Sequence, residues 1–131
     1  VKPLSIAIPT HGDRLHWYLQ TIKNVHDDPR VDEIIVSDDD NIENHNKKEW
    51  SILKDYSKVN YSQVSGKQGV FRNKYLAISE CSNDTVCLWD SDNIFGVDYL
   101  DALEKAGDHY ETAIRCPVKA LPRFDFTKYE G

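Results

Sequence analysis

The chain has no methionine, and only three cysteines, five prolines and six glycines among 131 residues. Each scarcity narrows the field. Cys81, Cys87 and Cys116 are odd in number and lack C-x-x-C spacing, so neither a disulfide framework nor a zinc site is expected. Cys87 and Cys116 sit inside apolar runs and read as buried free thiols in a reducing, cytoplasmic compartment. No apolar run approaches the roughly 18 residues that span a bilayer, and no basic stretch followed by an apolar one reads as a signal peptide. Lys and Arg number 16 against 22 Asp and Glu, and the resulting charge of −6 disfavours a nucleic-acid partner. A phosphorylated ligand stays compatible, because a bound divalent cation reverses the local sign. The chain starts at Val1, so a segment of a longer protein with further domains is expected, cut short at its C-terminus.

What is present is ordinary for a globular chain. Hydrophobic residues make up 40% and charged residues 29%, enough for one core, and a single domain over 1–131 is the simplest count. Two periods alternate along it. Leu4 to Ile8 is an apolar run ended by Pro9. Asp13 reads as an N-cap, after which Leu15, Leu19, Ile22 and Val25 recur at helical spacing up to Pro29. Ile34 to Val36 is a second β-branched run, stopped by Asp38-Asp39-Asp40. Asn46 with Glu49 resembles a capping box and predicts a helix through Trp50, Leu53 and Tyr56.

Val59 to Val64 alternates as a strand, and Phe71, Tyr75 and Ile78 mark the next helix. Thr85 to Trp89 is a fourth strand, ending at Asp90-Ser91-Asp92-Asn93. A helix follows through Tyr99, Leu100 and Leu103, with Gly107 as its C-cap, and Thr112 to Cys116 is a fifth strand. The tail from Lys119 shows no period. Trp17, Trp50 and Trp89 fall where core or sheet packing is expected. This alternation predicts an open, mostly parallel α/β sheet with right-handed crossovers and helices on both faces.

In such a sheet, ligands bind beyond the carboxyl ends of the strands. Those ends carry Pro9-Thr10-His11, Asp38-Asp39-Asp40, Ser65-Gly66-Lys67 and Asp90-Ser91-Asp92, so five carboxylates gather at one edge. Two unit charges about 5 Å apart at an effective dielectric near 20 repel by about 3 kcal/mol. A hard divalent cation, Mg²⁺ or Mn²⁺, is the natural neutraliser. Turn formation and helix capping are the competing reason for Asp, Asn and Ser to crowd such loops. Arg72 opens the third helix after Gly66-Lys67-Gln68-Gly69, where an anion is favoured and a guanidinium could grip a diphosphate. The loop does not match a P-loop, and the five histidines show no metalloprotease spacing.

Ser5-Ile-Ala-Ile-Pro-Thr-His11, Glu33-Ile-Ile-Val-Ser-Asp-Asp-Asp40, Gly69-Val-Phe-Arg-Asn73 and Trp89-Asp-Ser-Asp-Asn-Ile94, in this order and spacing, resemble the family-2 glycosyltransferases of the GT-A fold over nearly the whole chain. The resemblance implies transfer of a sugar from a nucleoside diphosphate, UDP favoured over GDP or dTDP, to the hydroxyl of a glycan or other acceptor. It implies that Pro9, Thr10 and His11 line the nucleobase, and that Asp39 reads it, with Asp38 the candidate if the register slips by one. Arg72 would stand near the pyrophosphate, Asp90 and Ser91 near the ribose or sugar, and Asp92, with Asp90, on the Mn²⁺ or Mg²⁺ ion. No catalytic base is assigned: Asp125 and Glu130 are the acids of the tail, and neither has a recognisable context. A nucleotide- or metal-binding module without transfer activity is the alternative. A phospho-receiver is disfavoured because its acid pair follows the first strand, and a nucleotidyltransferase because its glycine-rich loop is absent.

Overall fold

The computed structural model describes residues 3–39, 43–64, 68–106, 119–120 and 124–125, with the backbone alone for 43–47 and for the last two segments. Asp40, Ser65-Gly66-Lys67, Gly107 and the expected strand Thr112 to Cys116 lie outside the described residues. The chain divides into two compact units, Val1–Val97 and Asp98–Gly131.

The first unit is an open parallel sheet of four strands, β1 (Leu4–Thr10), β2 (Val31–Asp38), β3 (Val59–Gln63) and β4 (Thr85–Leu88), in the order β3-β2-β1-β4. Helices α1 (Leu15–Val25), α2 (Glu43–Leu53) and α3 (Val70–Ser79) connect them. Chain direction across the sheet reverses after β3, which makes the gap between β1 and β4 the topological switch point. β2 is buried along Ile34 to Asp38, as a strand covered on both faces must be. Consecutive residues of a strand point to opposite faces, and two neighbours on β2 show which helices cover which. Ser37 Oγ bonds Asn73 of α3, whereas Asp38 bonds Tyr61 and faces the contact between Tyr18 of α1 and Glu49 of α2.

β1 runs through Pro9 to Thr10 rather than stopping at the proline. Its pairing with β2 continues to Thr10 opposite Asp38, while its pairing with β4 ends at Ala7 opposite Leu88. Trp89 N still donates to Ala7 O at 2.9 Å. The next bond of that ladder would need an N–H from Pro9, which has none. One proline thus leaves the β2 side intact and ends the β4 side, so the chain after β4 is released at the switch point.

Several local expectations differ. The residue before α1 is Arg14 with no side-chain cap, so Asp13 does not cap; Gly12, at φ 64, makes the turn instead. α2 starts at Glu43, which puts Asn46 inside the helix, and Glu49 is fully buried beneath Tyr18 and not turned back to a capping box. Phe71, Tyr75 and Ile78 are exposed; the buried side of α3 carries Asn73 and Ala77. Of the tryptophans only Trp89 is buried, while Trp17 and Trp50 are exposed.

The second unit begins at Asp98, within the first turn of α4 (Val97–Ala106), whose buried residue is Leu100. It also holds two two-residue antiparallel strands, β5 (Lys119–Ala120) and β6 (Phe124–Asp125). Strands this short leave no periodicity to read in the tail.

Candidate functional site

Three strand ends meet at the carboxyl edge of the sheet around the switch point. Thr10 closes β1, Asp39 follows β2, and Asp90 to Asn93 form a turn after β4. Asp39 N donates to Thr10 O at 2.9 Å, so the first two ends are tied directly. Asn73 adds the third dimension. It is buried in α3, its Nδ2 donates to Thr10 O at 3.2 Å and to Ser37 O at 3.1 Å, and its Oδ1 accepts from Ser37 Oγ at 2.8 Å. One amide therefore joins β1, β2 and α3 just below the edge.

The two adjacent acids at the end of β2 have different surroundings. Asp38 is fully buried and accepts from Tyr61 OH at 2.6 Å. Nearby, Tyr18 OH donates to Glu49, so each of two buried carboxylates accepts from its own phenol on the α1–α2 side. Burial, and then the charge of Glu49, push the Tyr18 phenol far above its ordinary range, and burial with the bond to Asp38 does the same for Tyr61. Both remain proton donors at neutral pH. Asp39 instead turns to the loop before α3: Oδ1 accepts from Gln68 N at 2.6 Å and Oδ2 from Gly69 N at 2.9 Å. Gly69 sits at φ 86, a conformation that favours glycine and lets the chain enter α3 at Val70.

Thr10 is buried, and among the described residues its Oγ1 meets no hydrogen-bond partner. Pro9 is half-buried and His11 exposed beside it. Arg72 is exposed, with Nε donating to Gln68 Oε1 at 2.8 Å.

The turn after β4 is held from both sides. Asn93 N donates to Asp90 O at 3.2 Å. On the α1 side, buried Thr21 donates to Asn93 O at 3.3 Å and accepts from Phe95 N at 3.0 Å, and Asn24 donates to Phe95 O at 2.9 Å. Phe95 stacks on Trp89, with ring centroids 4.4 Å apart. Ser91 is buried and accepts from Arg14 Nη1 at 3.3 Å. Asp90 is exposed, with Lys74 Nζ of α3 3.7 Å from its Oδ1, and Asp92 is half-buried.

Arg14, Thr21 and Lys74 are residues that sequence reasoning did not single out, and Asn73 entered only as part of a matching segment. The available signal was faint: an Asn four residues before Ala77 on α3, and a Thr among the apolar positions of α1. Among the described residues no three or more His, Cys, Asp or Glu cluster as a ready-made metal site. No described helix is long and apolar enough to cross a membrane.

No curated protein sequence matches the chain, but solved structures do. The chain resembles S. aureus TarS 1–349, with 15% identity and a TM-score of 0.65 over 88% of this chain and 38% of that one. The same TarS segment in complex with UDP-GlcNAc gives 15% identity and a TM-score of 0.67, over 88% and 37% of the two chains. Its complex with UDP gives 18% and 0.65, over 82% and 33%. The chain thus spans well under half the length of these structures, and at such identity the likeness is one of fold. The sequence itself matches the glycosyl transferase family 2 over residues 5–129. With the strand order and nearly the full sequence in agreement, the chain belongs to glycosyl transferase family 2, on a GT-A-like parallel sheet.

Proposed function

We propose that the chain is the nucleotide-sugar-binding half of a glycosyltransferase, which moves a sugar from a nucleoside diphosphate donor to an acceptor hydroxyl. The observation that carries this reading is that, in a family-2 chain, Thr10, Asp39 and the Asp90–Asp92 turn follow three neighbouring parallel strands at one carboxyl edge, with Thr10 and Asp39 bonded to each other. UDP-sugars are favoured, since the fold is shared with a protein whose structures were determined with UDP and UDP-GlcNAc. Thr10 and Asp39 belong to the base end. Each Asp39 oxygen already accepts one backbone N–H, and its second lone-pair position remains suited to a base imide. The beginning of α3, directly after that loop, favours the diphosphate.

The acidic turn fits a hard divalent cation. It offers two carboxylates, Asp90 at 52% side-chain exposure and Asp92 beside it, and Mg²⁺ and Mn²⁺ characteristically take one or two carboxylates and complete their shells with phosphate and water. When bound, such an ion supplies Lewis-acid stabilisation of the leaving diphosphate. The chain's own part is to hold these two acids in place through Thr21, Asn24 and Arg14. Calorimetric titration of UDP, GDP and dTDP with MnCl₂ tests the reading. UDP is expected to bind best, and Asp92→Ala to weaken it by about tenfold or more. Release of UDP from UDP-GlcNAc, lost in Asp92→Ala, separates a transferase from a binding module. Failure of all three nucleotides to bind refutes both.

A further inference from the structure

Cations approach the acidic turn from both faces of the sheet. Arg14, at the start of α1, spends one guanidinium nitrogen on Ser91 Oγ, 3.3 Å away. From the α3 side Lys74 Nζ stands 3.7 Å from Asp90 Oδ1. The root of Lys74 has little freedom, because its neighbour Asn73 is buried and bonded to both β1 and β2. Its side chain is 35% exposed, so the ammonium is open to an anion arriving at the turn.

Arg72 lies on another side of the helix. At 3.6 residues per turn, positions 72 and 74 are about 200° apart around α3. Arg72 accordingly reaches back along the helix to Gln68 Oε1 at 2.8 Å, not across to β4. The part of α3 that meets the acidic turn presents the lysine and not the arginine.

We propose that Lys74 is the resident counter-cation of the acidic turn and the α3 contact to the donor's diphosphate, the place that family resemblance gives to Arg72. The inference rests on the nucleoside-diphosphate reading of the site. A compact ammonium with three donors can leave Asp90 for a phosphate oxygen by turning about its flexible stem. The same ammonium opposes a divalent cation at Asp90, since two positive charges within a few ångströms repel. Removing it therefore has two effects of opposite sign: weaker diphosphate binding and tighter binding of a metal ion alone.

Calorimetry on the intact chain reads both. UDP is titrated with chelator and again with Mn²⁺, and Mn²⁺ is titrated without nucleotide, for wild type, Lys74→Gln, Lys74→Arg and Arg72→Gln. Lys74→Gln is expected to weaken UDP by about tenfold or more in the condition where wild type binds it, with partial recovery in Lys74→Arg. Arg72→Gln is expected to lose less than Lys74→Gln. Mn²⁺ alone is expected to bind Lys74→Gln more tightly than wild type. The half-exposed position predicts an unchanged melting curve for each variant, which separates lost contacts from lost fold. If wild type binds UDP and Lys74→Gln binds it equally well, the role of Lys74 is overturned while the donor-site reading stands. If wild type binds no UDP in either condition, the site reading fails and this proposal with it.

Discussion

Replacing Asn73 by Ala removes three hydrogen bonds that join β1, β2 and α3. It also leaves Ser37 Oγ, fully buried, without that acceptor. The expected cost is about 2–3 kcal/mol of unfolding free energy, measured by urea denaturation; a change below about 0.5 kcal/mol would deny the residue its joining role. Asp38 and Asp39 make the same point about residues. They are adjacent and chemically identical, yet strand alternation sends one into a buried phenol network and leaves the other at the rim on the Gln68 and Gly69 amides.

Among elements, α1 does more for the site than its amphipathic pattern announces. Leu15, Tyr18, Ile22 and Val25 bury it against the sheet, and Thr21, also buried, carries the turn after β4 on one hydroxyl. Thr21→Val keeps the shape and deletes the hydroxyl, so it is expected to cost about 1–2 kcal/mol and to weaken UDP binding further than that stability loss explains. Thermal melts and calorimetry read the two effects separately. Unchanged nucleotide affinity would show that the turn holds its shape without α1. α3 illustrates the opposite error of pattern reading. Its apolar Phe71, Tyr75 and Ile78 lie at i, i+4 and i+7 and suggest a core face, but they are exposed, and the face against the strands uses small Ala77 and the polar Asn73. A helix that closes down on strand ends needs a small residue and hydrogen bonds there more than bulk.

For the molecule as a whole, the connection from α1 to β2 sets part of the acid limit. Asp28 accepts three hydrogen bonds from Arg30, at 2.9, 2.9 and 2.8 Å, and these hold its carboxyl below the ordinary value. A depressed native pKa means stability that is present above the unfolded value of about 3.9 and lost as pH falls through the lower native value. Asp28→Asn is therefore expected to destabilise the protein at pH 7, and to differ little from wild type at a pH below both values. Urea unfolding at the two pH values checks this; an equal loss at both would assign the effect to packing and not to charge.

The alternation of β-branched runs with helical periods was sufficient by itself to determine a parallel α/β sheet, and with it the edge where Thr10, Asp39, Asp90 and Asp92 must gather. That much follows locally, because strand period, helix period and the handedness of crossovers are properties of short stretches. Only the tertiary structure decided which acid enters the phenol network, why Glu49 lies under Tyr18 instead of capping α2, and that Lys74 stands beside Asp90 where Arg72 does not. These depend on partners that lie 16 or more residues away in the chain, as Lys74 and Asp90 do. Side-chain periodicity records that a residue has a buried or an open face, but carries no information about which distant side chain will meet it.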